Sequence, residues 1–145
     1  MNEPGLTRGY AIAAKRARAG AASRRGSAPT VLISPIDHDH LARYTFGDRE
    51  LEIEVLDLFL GEVPRTMDKL NAAVAAEKFD PKAWHYACHT LKGSARAVGA
   101  FDVARAAERA ENIEHLSPEY VADHIAEIAR TLATAAAYIE TWRKG

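Results

Sequence analysis

Asp80-Pro81-Lys82-Ala83-Trp84-His85-Tyr86-Ala87-Cys88-His89-Thr90-Leu91-Lys92-Gly93-Ser94-Ala95-Arg96-Ala97-Val98-Gly99-Ala100 reads as one helix with its own start and stop. Asp80 supplies a capping carboxylate, and Pro81 fits the first helical position, where a missing N–H costs nothing. Gly99 suits the left-handed residue that closes a helix, so the segment ends near Val98. At about 100° per residue, Trp84, Ala87, Cys88, Leu91, Ala95 and Val98 fall in a sector roughly opposite His89. On the same wheel His85, Lys92, Gly93 and Arg96 lie within about 60° of His89. The helix therefore has a packed apolar back and a cationic, histidine-rich front.

Outward from this helix the pattern stays helical. Upstream, Asp37 is a candidate N-cap for a short helix ending near Tyr44, and Gly47-Asp48 opens a longer one. In the longer one Leu51, Val55, Phe59, Val63, Leu70 and Val74 share a face, widened by Ile53, Leu56, Leu60 and Met67. Pro64 lies inside that run and is expected to kink or split it. Downstream, a helix covers about Phe101 to His115, and Ser117-Pro118 signals the start of the last one. There Val121, Ile125, Ile128, Leu132, Ala135, Ile139 and Trp142 alternate steps of four and three, the seam of a bundle helix. No strand pattern competes. The expected fold is all-α, an antiparallel up-down four-helix bundle over residues 34–145 with a short extra N-terminal helix, preceded by a tail over residues 1–33.

Composition sets limits on function. The 145 residues carry a net charge of −1, but the charge is divided unevenly. Residues 1–30 hold Arg8, Lys15, Arg16, Arg18, Arg24 and Arg25 against the single acid Glu3, leaving 13 basic and 19 acidic groups for the rest. An acidic body argues against nucleic-acid binding. The tail is rich in Ala, Arg, Gly and Ser and poor in large apolar groups, so it is expected to be flexible and solvated. No run approaches the roughly 20 apolar residues of a membrane span, and no signal peptide is apparent. The one cysteine, Cys88, has no internal disulfide partner, which suits a cytoplasmic location.

A histidine on an exposed helix face is ordinarily inert, and a nearby lysine is ordinarily a solvated charge. Gly93 is harder to explain that way. A mid-helix glycine costs about 1 kcal/mol relative to alanine, and this one lies on the front, where no core packing calls for it. Its missing side chain leaves room beside the His89 imidazole for a large partner. Lys92 can bring an ammonium to anionic oxygens attached to that ring, and Ser94 can add a hydroxyl from the flank. A neutral imidazole nitrogen can attack a phosphoryl centre near pH 7.

His89-Thr90-Leu91-Lys92-Gly93-Ser94-Ala95, followed by Gly99-Ala100, resembles the H-x-L-K-G-S-x motif of histidine phosphotransfer (HPt) domains. Ile36-Asp37, Phe59-Leu60, Pro64, Leu70 and Ala87-Cys88-His89 resemble its flanking pattern, so the likeness covers residues 36–143. The resemblance implies a four-helix bundle of bacterial two-component phosphorelays, cytoplasmic and without a nucleotide site or cofactor of its own. His89 would be the phosphoacceptor, Lys92 and Ser94 would support the phosphoryl group, and Gly93, His85 and Arg96 would face the docked partner. The partners would be receiver domains, which supply Mg2+ and the aspartate, and a hybrid or conventional histidine kinase. Some members orient the active imidazole with a glutamine on the next helix; by spacing, the candidate here is Glu111 or Asn112.

Three other readings bear on the same residues. His85 and His89 stand at i, i+4 with Cys88 adjacent, a metal-ligand spacing, but Cys88 faces the core and no third ligand is placed, so no metal is expected. An autonomous kinase or hydrolase lacks support, since neither G-x-x-x-x-G-K-[ST] nor G-x-G-x-x-G occurs. A docking module that binds receivers without transfer is opposed by the intact His-Lys-Gly set. His38, His40, His115 and His124 read as surface or capping residues, and Cys88, Trp84 and Trp142 as packing.

Overall fold

The computed structural model describes residues 34–111 and 118–145, and these form five helices without a strand: α1 His38–Thr45, α2 Arg49–Ala75, α3 Pro81–Ala97, α4 Phe101–Glu111 and α5 Pro118–Lys144. The tail expected over residues 1–33, the end of the fourth helix and the Ser117 cap lie outside the described residues. Three starts follow the capping logic of the sequence. Asp37, Asp48 and Asp80 accept from the backbone N–H of His40, Leu51 and Ala83, each satisfying one of the donors that a helix start leaves unpaired.

Helices α2 to α5 pack in a ring, α2 on α3, α3 on α4, α4 on α5 and α5 back on α2. Contacts near opposite ends fix the directions. Trp84 at the start of α3 bonds Ala110 at the end of α4, and Arg49 and Asp57 of α2 reach Trp142 and Arg143 of α5. The α3 back face is buried as expected, Trp84, Ala87, Cys88, Leu91, Ala95 and Val98 all lying in the core. The α5 seam holds too: Val121, Ile128, Leu132, Ala135 and Ile139 are buried, with Ile125 and Trp142 packed against them.

Helix α2 departs from its expected reading in two ways. It runs unbroken through Pro64, so the proline does not split it. Its buried face is Glu52, Leu56, Phe59, Leu70 and Ala73, while Leu51 and Val74 are exposed. The inward stripe thus departs from the hydrophobic reading by one residue at each end, Glu52 in place of Leu51 at the start and Ala73 in place of Val74 at the finish. The reason is chemical: the inward position of the first turn is taken by a carboxylate.

That carboxylate anchors α1. Thr45 donates from its hydroxyl to Glu52 Oε2 at 2.8 Å, and His38 Nδ1 lies 3.9 Å from Oε1. His38 Nε2 shares a 2.7 Å hydrogen bond with the Tyr138 hydroxyl and its ring packs on Trp142, 5.0 Å between centroids. His38 is therefore a link between α1, α2 and α5 rather than a surface residue. His40 is also half-buried, edge-on to Phe101 and Tyr44, whereas His124 stacks on Tyr120.

Gly99 joins the start of α1 to the bundle. At φ +81° it occupies the left-handed region, with Gly99 N–H donating to Arg96 and Ala100 N–H to Ala95, the paired bonds of a Schellman cap. Its carbonyl accepts from Asp37 N–H at 2.9 Å. A Cβ here would stand 2.7 Å from the Asp37 carbonyl oxygen, so glycine serves both the turn and the close approach.

Candidate functional site

Two α3 donors fasten the last described turn of α4. Trp84 Nε1–H donates to the Ala110 carbonyl at 2.9 Å. One residue on, His85 Nδ1 lies 3.4 Å from the Glu111 carbonyl, which can only accept. Ala104, Ala106, Ala107 and Ala110 of α4 and Ala87 and Ala95 of α3 are all buried, and the two helices pack on each other. The outcome is that Glu111, with its side chain only 7 % exposed, sits beneath the front of α3.

Three side chains converge on this carboxylate. His89 Nδ1 is 2.9 Å from Oε2, with the imidazole 62 % exposed. Lys92 Nζ is 2.7 Å from Oε1 and largely covered. His85 Nε2 is 3.5 Å from Oε2, and the two imidazoles are nearly parallel with centroids 6.0 Å apart. Burial alone would raise the Glu111 carboxyl, but hydrogen bonds from Lys92 and His89, reinforced by their charge, outweigh it and hold the group below the usual value. An ionised carboxylate only accepts, so His89 Nδ1 carries the proton. The remaining nitrogen, Nε2, then presents its lone pair on an exposed ring.

The remaining residues singled out in the sequence divide. Gly93 is exposed, and a Cβ built on it would meet nothing within 4 Å, so the space beside His89 is real and the protein's own packing does not require the glycine. Arg96 reaches Glu108 at 3.4 Å and flanks the cluster. Ser94 is half-buried on α3 and is not joined to the His89–Glu111–Lys92 set. Lys92 departs from expectation: its ammonium is committed to Glu111, because a fixed carboxylate stands within reach. Of the two candidates on the fourth helix, Glu111 takes the position under the imidazole; Asn112 lies outside the described residues. Cys88 is fully buried, and burial, with the Glu111 charge behind it, pushes its thiol up to about 12.

Sequence reasoning found no third partner for His85 and His89. The structure brings one, since ligand atoms of His85, His89 and Glu111 all lie within 4.8 Å of one another. A contact between helices 22 residues apart in sequence leaves no periodic signal, although Glu111 was within sight as an imidazole-orienting candidate.

A family model described as Hpt domain matches residues 54–138, which spans most of α2, all of α3 and α4 and most of α5. No curated protein and no solved structure matches the chain at a significant level. Among the described residues no helix is long and apolar enough to cross a membrane.

Proposed function

Starting from a chain that belongs to the Hpt domain family, and hence has a phosphotransfer role in two-component signalling, we propose that His89 is the phosphoacceptor and that receiver-domain aspartates are its partners. The supporting observation is the 2.9 Å contact of His89 Nδ1 with Glu111 on an otherwise exposed imidazole. Held in that tautomer, the ring directs Nε2 at the phosphorus of an incoming phosphoaspartate. The P–N bond forms as the P–O bond to the aspartate breaks, and the carboxylate leaves with the electron pair. Positive charge grows on the imidazole during attack, and Glu111 lies where it stabilises that charge. In the return direction the P–N bond breaks as a receiver aspartate forms the new P–O bond and Nε2 recovers the electron pair; the metal and the accepting carboxylate would come from the partner, because phosphoryl transfer depends chiefly on positioning and charge.

Lys92 has two roles in this reading. It keeps Glu111 ionised in its covered position, and it stands one turn from the oxygens of a phosphorylated His89. Ser94 and Arg96 flank the approach, and Gly93 leaves it open to a receiver. The chain acts as a carrier, with no nucleotide site or resident cofactor of its own; Mg2+ is expected in the receiver. A hybrid or conventional histidine kinase would stand upstream, in the cytoplasm.

The test is incubation with a receiver domain phosphorylated on aspartate, followed by label tracking. Label should appear on this chain, survive base, be lost in acid and vanish in His89→Gln. Label that persists in that variant sinks the assignment of His89. Stable binding with no label would instead identify a docking module.

A further inference from the structure

The geometry points to a second occupant of the same cluster: a divalent transition-metal ion bound by His85 Nε2, His89 Nδ1 and Glu111 Oε2, which switches phosphoryl acceptance off. The consequence for transfer rests on the phosphoacceptor role proposed above; the site itself does not.

The ligand atoms are already close to a coordination shell. Bonds of about 2.0–2.1 Å to imidazole nitrogen and carboxylate oxygen imply tetrahedral ligand–ligand edges of about 3.3 Å. The observed edges from Oε2 are 2.9 Å to His89 Nδ1 and 3.5 Å to His85 Nε2, and the third is within 4.8 Å. Small side-chain rotations close it. Both imidazoles are exposed, so the ion has access and its fourth position faces solvent.

A second observation concerns His85 itself. Its Nδ1 lies 3.4 Å from the Glu111 carbonyl, which can only accept; that contact assigns the proton to Nδ1, and in the neutral ring Nε2 is then an acceptor. That acceptor faces a carboxylate oxygen at 3.5 Å. Two acceptors turned toward each other attract a cation between them. A carbonyl holding the far nitrogen of a ligating histidine is also the usual outer support of a metal site. Lys92 leaves Oε2 free, because it takes Oε1. The donor set of two imidazoles and one carboxylate suits Zn2+, Ni2+ or Cu2+ and discriminates against Mg2+, which prefers oxygen ligands.

Binding alters His89 in a defined way. The ion takes the Nδ1 lone pair, so the single ring proton that Nδ1 gave to Glu111 must reside on Nε2. No proton is released, but the nucleophilic lone pair is lost. Metal and incoming phosphoryl group therefore exclude one another although they use different nitrogens.

Co2+ serves as the spectroscopic probe. The metal-free protein at pH 7 should bind one Co2+ per chain with visible absorption of a low-coordinate site, reversed by Zn2+, and both His85→Ala and Glu111→Gln should lose it. Absence of saturable Co2+ binding, as when His85 merely carries a second proton, overturns the proposal; so does undiminished binding by His85→Ala shown to be folded by circular dichroism. Transfer is then measured from a phosphorylated receiver in excess Mg2+. Zn2+ at about a hundredfold excess over its Kd should slow acceptance by the wild type about a hundredfold, reversibly with chelator. His85→Ala, compared with its own metal-free rate, should be unaffected by Zn2+. Binding without slowed transfer overturns the switch, while Co2+ binding by a chain that never accepts phosphate would count against the phosphoacceptor role and leave the site standing.

Discussion

Glu111 serves two donors with its two oxygens, the Lys92 ammonium on one and the His89 imidazole on the other, and this sharing couples their effects. Glu111→Ala removes the acceptor that fixes the His89 tautomer. It should slow phosphoryl acceptance about 10- to 100-fold, the worth of one charge-assisted hydrogen bond. Lys92→Ala strips the cation from a covered carboxylate and should also slow transfer, but the double variant should be no slower than Glu111→Ala alone. Rates that multiply in the double variant would show that the two act independently. Gly93→Leu should leave the helical spectrum and melting temperature near wild type, because the added side chain meets open space, yet sharply reduce receiver binding. Normal binding by that variant removes the docking role from Gly93. His89, Lys92 and Gly93 were legible in the sequence because they share one helix face, where spacing alone fixes the angle. Glu111 was legible only to within one residue, since its place depends on how two helices meet.

The helices show where periodicity suffices and where chemistry intervenes. Helix α3 follows its sequence closely because start, stop and apolar face all agree. In α2 the same reasoning drifts by about one residue, as Glu52 occupies an inward position usually given to an apolar group. The link from α1 through His38 to Glu52, Tyr138 and Trp142 was invisible to the sequence, since it joins three helices by polar groups that also occur on surfaces. The turn after α3 was foreseen as a stop, but its second task, receiving Asp37 against the backbone of Gly99, was not. Gly99→Ala should destabilise the fold by about 2 kcal/mol or more, combining left-handed strain with a clash against backbone that cannot move cheaply. Chemical denaturation checks this, and a loss below about 0.5 kcal/mol would mean that the first helix is not held there.

At the scale of the whole molecule, the buried acid ties stability to pH. Burial raises the Glu52 carboxyl above its ordinary 4.5, outweighing the Thr45 hydrogen bond and the Arg49 charge that lower it. The folded state therefore holds this proton more tightly than the unfolded chain. Its contribution is fully present below pH 4.5 and is lost as pH rises through the folded value. Glu52→Gln, neutral throughout and able to accept from Thr45, should gain stability relative to wild type across that window and then hold a constant advantage. Urea midpoints at a series of pH values test it; a difference that is flat or of opposite sign refutes it. Distance matters in another way through the alanines between α3 and α4. They are buried where α3 and α4 pack together, and a small side chain there lets two helix axes lie close enough for a carboxylate arm to touch the imidazole. Enlarging one of them, as in Ala107→Val, would act like a spacer inserted under the His89–Glu111 contact. On the phosphoacceptor reading, reactivity at His89 would then be graded by side-chain volumes inside the core, without a change in any exposed residue.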